Sequence, residues 1–217
     1  MPNPNMTELV FIIDRSGSMS AIQKDAAGGL NHFLAEQKKV PGLAMVTLVQ
    51  FDTIYEIVHE NKPLHLVPEY VLEPRGGTAL LDAIGQTISN VGARLSHTPD
   101  HQRPGKVVVI IVTDGEENSS HQSTREQVFA MIKHQQEKYS WEFLFLAANQ
   151  DAIAVGASYG IRNSMNYQPN SVGVQSAYSV SSNHVAQYRN CGTMAVLPTN
   201  AEDIGQITPS ATNSITP

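Results

Sequence analysis

The sequence predicts an α/β fold: a doubly wound, Rossmann-like open sheet, mostly parallel with one antiparallel edge strand, and helices on both faces. Three observations predict it. Apolar, β-rich runs alternate with helix-periodic segments along most of the 217 residues, the pattern of parallel strands joined by crossover helices. The run at 107–112 is uninterrupted Val-Val-Val-Ile-Ile-Val, as a central strand covered on both faces requires. Two strand-like runs, 44–51 and 54–59, are separated only by Asp52 and Thr53. That gap is too short for a crossover helix, so the pair forms an antiparallel hairpin that places one reversed strand at an edge.

The elements follow in order. The first strand covers 9–13, Leu-Val-Phe-Ile-Ile. After Ser18, Ile22, Ala26, Leu30, Phe33 and Leu34 share one helical stripe, with Gly28 and Gly29 inside it to allow close packing on the sheet. Pro41-Gly42 ends that helix. Beyond the hairpin, a loop punctuated by Pro63, Pro68 and Pro74 reaches Gly76-Gly77-Thr78. A helix over 79–95 starts there, with Leu80, Leu81, Ile84, Ile88, Val91 and Leu95 at helical spacing. The strand at 107–112 ends in Thr113-Asp114-Gly115. Then come a helix over 124–139, a strand over 142–147, a short helix over 152–159, a weak strand over 161–165 and an amphipathic last helix over 171–189 carrying Val172, Val180, Val185 and Tyr188. From Thr199 the chain is rich in Thr, Ser, Asn, Pro and Gly with little to bury, which predicts a mostly disordered tail. The expected organisation is one domain over 6–198 and a tail over 199–217.

Composition narrows the function. With 41% hydrophobic residues the chain supports one substantial core. Its net charge of −6 lacks the basic surface that attracts nucleic-acid phosphates, so no nucleic-acid partner is expected. No stretch approaches the roughly twenty apolar residues needed to cross a bilayer, and Met1-Pro2-Asn3-Pro4-Asn5 has no positive region of a signal peptide. A cytoplasmic protein with no membrane partner is expected. The single Cys191 excludes an internal disulfide and leans towards a reducing compartment; a small, buried, apolar role is expected for it. His97 and His101 are separated by Pro99, which argues against one helix face holding zinc. Tyr167, Tyr178 and Tyr188 read as loop and packing residues.

Chemistry concentrates at three loops. Asp14-Arg15-Ser16-Gly17-Ser18 follows the first strand, Thr78 opens a helix and Asp114 ends the central strand. Parallel topology sends all three to the carboxyl edge of the sheet, where open α/β folds bind ligands. Carboxylates and hydroxyls are hard oxygen donors, which suit Mg²⁺ or Mn²⁺ rather than zinc. Two aspartates only just balance a divalent charge, so the ion stays electrophilic towards a carboxylate from outside. Plainer roles compete. Asp and Ser before a helix also cap it, and Thr78 can do the same. Asp82 reads as a first-turn acid that favours the helix dipole, outside the metal shell. Arg15 and Arg75 read as solvated rim or as charges that steer an acidic partner. Glu116 and Glu117, which follow Asp114, read either as neighbours of the metal or simply as an acidic pair opening a helix, and Asn118 is equally ambiguous.

Taken together, Asp14, Ser16 and Ser18 as a D-x-S-x-S element, Thr78 as the threonine and Asp114 as the distal aspartate give a specific combination. On these residues the chain over 6–189 resembles a von Willebrand factor A domain with a complete metal-ion-dependent adhesion site (MIDAS). The resemblance implies that Ser16 and Ser18 coordinate the metal directly and that Asp14 and Asp114 act mainly through water. Thr78 would be direct in ligand-bound states and water-mediated otherwise, with a partner's Glu or Asp completing the shell. It implies a non-enzymatic protein-binding module of the single-domain, intracellular, prokaryotic or phage type. Such members often serve as adaptors to a ring ATPase or another complex subunit. The family often couples ligand exchange to a shift of the last helix, here 171–189. Other readings fit less well. A phosphohydrolase of the haloacid-dehalogenase kind needs a carboxylate where Ser16 stands and a lysine clamp, and a nicotinamide-binding enzyme needs G-x-G-x-x-G after the first strand. A metal-free scaffold would keep the fold but has no use for the intact ligand set.

Overall fold

Strand β1 (Asn3–Asp14) is buried without interruption from Thr7 to Asp14, because its side chains alternate between two helical layers. Leu9, Phe11 and Ile13 enter one hydrophobic cluster, and Val10 and Ile12 enter the other. The computed structural model describes residues 1–149 and 151–201. Parallel partners flank β1: β2 (Leu43–Phe51) on one side and β4 (Pro104–Thr113) on the other. With β3 (Tyr55–Pro63), β5 (Glu142–Ala147) and β6 (Asn163–Asn166), the sheet has the order β3-β2-β1-β4-β5-β6. Among the described residues only the β2–β3 pair is antiparallel, so the reversed edge strand stands where the hairpin placed it.

A 3₁₀ turn over Gly17–Ile22 leads into α1 (Gln23–Lys38), whose Ala26, Leu30, Phe33 and Leu34 are buried as the stripe predicts. Helix α5 (Ser171–Cys191) packs beside α1 on that face. On the opposite face lie α2 (Leu80–His97), α3 (Arg125–Tyr139) and the short α4 (Ala152–Ser158). Helix α3 begins with a capping box, in which Thr124 Oγ1 accepts from the Gln127 amide and Gln127 Oε1 accepts from the Thr124 amide. That reciprocal pairing satisfies two otherwise orphaned donors.

The glycine pair of α1 serves a different contact from the one its sequence suggests. A Cβ on Gly29 would fall 2.2 Å from Tyr178 Cδ2, so Gly29 admits the Tyr178 ring of α5 rather than the sheet. Gly28, one residue away and about 100° around the helix, faces open space. In α5, Val180, Val185 and Tyr188 are buried as expected, but Val172 is exposed. Cys191 is also exposed, contrary to its expected burial. It is the last residue of α5, and the chain turns away at Gly192, whose φ of 76° suits glycine. Tyr167, Tyr178 and Tyr188 are all buried packing residues.

The chain after α5 returns to the sheet. The Asn166 amide donates to Thr199 O at 2.8 Å, Asn200 bridges to Asn166 and Ala201 is fully buried. The first three residues of the expected tail therefore dock beside β6, and 202–217 lie outside the described residues. Among the described residues no helix is long and apolar enough to cross a membrane.

Candidate metal centre

Strands β1 and β4 are neighbours, yet the helices that follow them in the chain cover opposite faces of the sheet. Their carboxyl ends therefore open a crevice at the topological switch point, the place where such sheets bind ligands. Asp14 is the last residue of β1, and Asp114 follows the last residue of β4.

The structure brings the five residues picked from the sequence to this crevice. Asp14 is fully buried; its Oδ1 accepts from the Ser16 amide at 2.6 Å and its Oδ2 from Thr113 Oγ1 at 2.6 Å. Ser16 Oγ and Ser18 Oγ are 2.9 Å apart, and Ser18 Oγ donates to Asp114 Oδ1 at 2.7 Å. Thr78 joins from a third loop. A Cβ built on Gly115 would lie 3.3 Å from Ser18 Oγ and 3.5 Å from Thr78 Oγ1, so the two hydroxyls converge on a space that the missing side chain leaves free.

Capping does not account for these hydroxyls. Ser16 stands at the N-cap of the 3₁₀ turn but makes no side-chain capping bond. Thr78 lies one residue outside α2, whose N-cap is Ala79. Burial pushes the Asp14 carboxyl up to about 6, with the nearby Asp114 charge adding to the shift and the bonds from Thr113 and Ser16 opposing it. Asp114 is also raised by burial, against the Ser18 hydrogen bond. Among the described residues neither carboxylate forms an ion pair. Two partly desolvated carboxylates without a cation, three hydroxyls and a cleared space at Gly115 fit a hard divalent ion.

The loops are held by residues whose roles the sequence did not disclose. The Glu117 carboxylate accepts from the amides of Leu81, Ser119 and Ser120 and from Ser120 Oγ. It therefore ties the segment after Asp114 to the start of α2 and does not open a helix; α3 begins only at Arg125. Asn118 Oδ1 accepts from the Thr78 amide at 3.0 Å, and Thr78 O accepts from the amides of Asn118 and Ser119. Asp82 accepts from the amides of His121, Gln122 and Ser123, a clasp between α2 and the loop rather than a free first-turn acid. Arg15 is not rim: it is 4% exposed and ion-paired with Asp52 and Glu56. Arg75 is half exposed, and its Nε donates to Asp52 Oδ2 at 2.8 Å. The position of Asp52, at the carboxyl end of β2 on the same sheet edge, was the one signal that could have drawn attention to it.

The centre is an open crevice, with Ser18 at the surface. A groove of about 920 Å³ lies elsewhere, between α2 and α3 at the amino ends of β4 and β5, lined by Ile88, Met131, Pro104 and Trp141 among others.

No protein-family model and no curated protein matches the sequence. Solved structures do match in fold. The ArnB paralog VWA2 from Sulfolobus acidocaldarius aligns at 12% identity and a TM-score of 0.55, over 85% of this chain and 46% of that one. A von Willebrand factor type A protein from Catenulispora acidiphila aligns at 14% identity and 0.57, over 83% and 43%. Proximal thread matrix protein 1 from the mussel byssus, solved with zinc in its MIDAS motif, aligns at 14% identity and 0.58, over 83% and 46%. The chain spans less than half the length of each of these structures. Strand order, the single reversed edge strand and these alignments together establish that the chain has the von Willebrand factor type A fold.

Proposed function

We propose that this protein is a non-enzymatic, metal-dependent binding module. Asp14, Ser16, Ser18, Thr78 and Asp114 hold a divalent cation, Mg²⁺ or Mn²⁺, and present it to a Glu or Asp of a partner protein. The observation that carries the reading is the continuous chain Ser16 Oγ, Ser18 Oγ, Asp114 Oδ1, backed by Asp14 and left without a capping role. Ser16 and Ser18 offer neutral oxygens to the ion. Asp14, fixed from behind by Thr113 and the Ser16 amide, and Asp114 supply the negative charge that holds it. Thr78 adds a third hydroxyl from a separate loop, and Gly115 keeps the space beside the Ser18 and Thr78 hydroxyls clear. The ion supplies an electrophilic positive charge, because neutral hydroxyls quench little of it. The chemistry of the donors favours Mg²⁺ or Mn²⁺ over softer metals, although one protein of the same fold is known with zinc in its MIDAS motif. A cytoplasmic adaptor that joins a larger complex, such as one built on a ring ATPase, is the setting this reading suggests.

The test is a pull-down from the native host in Mg²⁺ and in EDTA, with Asp14→Ala and Ser18→Ala as controls. A partner retained in Mg²⁺ and lost in the other three samples supports the proposal. A partner retained equally in all four would end it, and phosphatase activity that disappears with Asp14→Ala would replace it with an enzyme.

A further inference from the structure

A buried carboxylate, Asp52, joins the backbone bonds and the half-exposed Glu56 in fastening the segment that carries Thr78 to the D-x-S-x-S loop. Asp52 is 1% exposed, and its Oδ2 lies 3.0 Å from Arg15 Nε and 2.8 Å from Arg75 Nε, so two guanidinium groups meet on one oxygen. Arg15 also pairs with Glu56 at 2.7 Å. Asp52 Oδ1 accepts from the Ile54 amide at 2.6 Å, which fixes the carboxylate plane. Backbone bonds follow the same line. The Arg75 amide donates to Arg15 O at 2.7 Å, the Gly17 amide to Gly76 O at 3.1 Å and the Ala79 amide to Asp52 O at 2.9 Å. Gly76, at φ 69°, presses against Asp52 so closely that a Cβ would lie 3.2 Å from the Asp52 Cβ. Arg15 stands between Asp14 and Ser16, and Arg75 stands three residues before Thr78, so the bridge joins the two halves of the centre.

We infer that Asp52, bridging Arg15 and Arg75, is a positioning residue for the metal centre: it sets where the Thr78 hydroxyl stands relative to Ser16 and Ser18. Among the described residues the Asp52 carboxylate bonds to Ile54, Arg15 and Arg75 and to none of the five metal-site side chains. Its influence passes through the 74–78 segment. The inference rests on the metal-binding reading above; the Arg15–Asp52 arm of the bridge is shielded from water, whereas the Arg75 arm is partly open to it. Residues that orient metal ligands from outside the shell typically cost about 10- to 100-fold in affinity when lost.

The experiment measures Mn²⁺ affinity for the whole chain, with Arg75→Gln and Asp52→Asn each made alone and in a Thr78→Ala background. Arg75 is half exposed, so its loss leaves the fold intact and keeps the test readable even where Asp52→Asn is unstable. The expected result is about a tenfold loss of affinity for each single change and no further loss once Thr78 is already Ala, the signature of two positions acting through one contact. Arg75→Lys, which keeps a cation on Asp52, recovers part of the affinity. In the metal-free protein, Arg75→Gln also speeds hydrogen exchange at the Arg75 and Ala79 amides. Equal losses in both backgrounds, or no loss at all, would overturn the inference while leaving the metal reading intact. A wild-type chain that binds no Mn²⁺ would instead remove the metal reading and this inference with it.

Discussion

A methyl group on Gly115 would lie 3.3 Å from the Ser18 hydroxyl and 3.5 Å from that of Thr78, so Gly115→Ala tests the centre without removing a donor. Its φ lies outside the left-handed region, so alanine fits the backbone. Mn²⁺ affinity measured by calorimetry should fall about tenfold, and the thermal midpoint of the metal-free protein should stay within about 2 °C. Unchanged affinity would mean that the space beside Gly115 is not used. The donors themselves were legible because each sits in a local pattern: Asp14, Ser16 and Ser18 in five consecutive residues after a strand, Thr78 at a helix entry, Asp114 at the end of the central run. The residues that hold them were not legible. Glu117 reaches Leu81 and Asp82 reaches 121–123, across sequence separations of 36 and of 39 to 41. A carboxylate that accepts backbone amides from a distant loop looks in the sequence like any surface acid. Arg15 misled for the opposite reason: flanked by aspartate and serine it resembles a rim charge, whereas it is buried and paired with Asp52, just after β2, and with Glu56 of β3.

Between elements, the α1–α5 contact turns on two adjacent glycines with opposite surroundings. Gly29 has the Tyr178 ring against it and Gly28 has nothing within contact distance. Gly29→Ala should cost about 1–3 kcal/mol, since the ring or the helix must move. Gly28→Ala should stabilise the protein by about 0.5–1 kcal/mol, the usual gain from replacing a helical glycine. Urea unfolding measures both; a reversal of the order would show that α5 does not sit on α1 through Tyr178. Hydrophobic patterning located each strand and α-helix among the described residues, because burial on one stripe or on alternate positions is a local property; it missed the polar start of β1, which begins at Asn3 rather than Leu9, and the short 3₁₀ turns. Which helix a glycine faces is a property of two elements at once. For that reason the pair was expected against the sheet, and Val172 and Cys191, at the two ends of α5, were assigned to an interior that the middle of that helix occupies.

For the molecule as a whole, topology and chemistry meet at one place. The order β3-β2-β1-β4-β5-β6 puts the ends of β1 and β4 side by side at the switch point, and the sequence places a carboxylate at each end. The same order puts β2 beside β1, which brings Asp52 to the edge where Arg15 and Arg75 meet. Solved structures of this fold at 12–14% identity share the architecture, whereas the centre rests on the residues of this chain. A Mn²⁺ titration followed by electron paramagnetic resonance tests that claim most directly, with wild type compared against Asp114→Asn and against Ser16→Ala combined with Ser18→Ala. The account predicts one ion per wild-type chain, displaced by excess Mg²⁺, and severely weakened binding in both folded variants. A wild-type chain that leaves the free Mn²⁺ signal unchanged, or variants that bind as tightly as wild type, would contradict it.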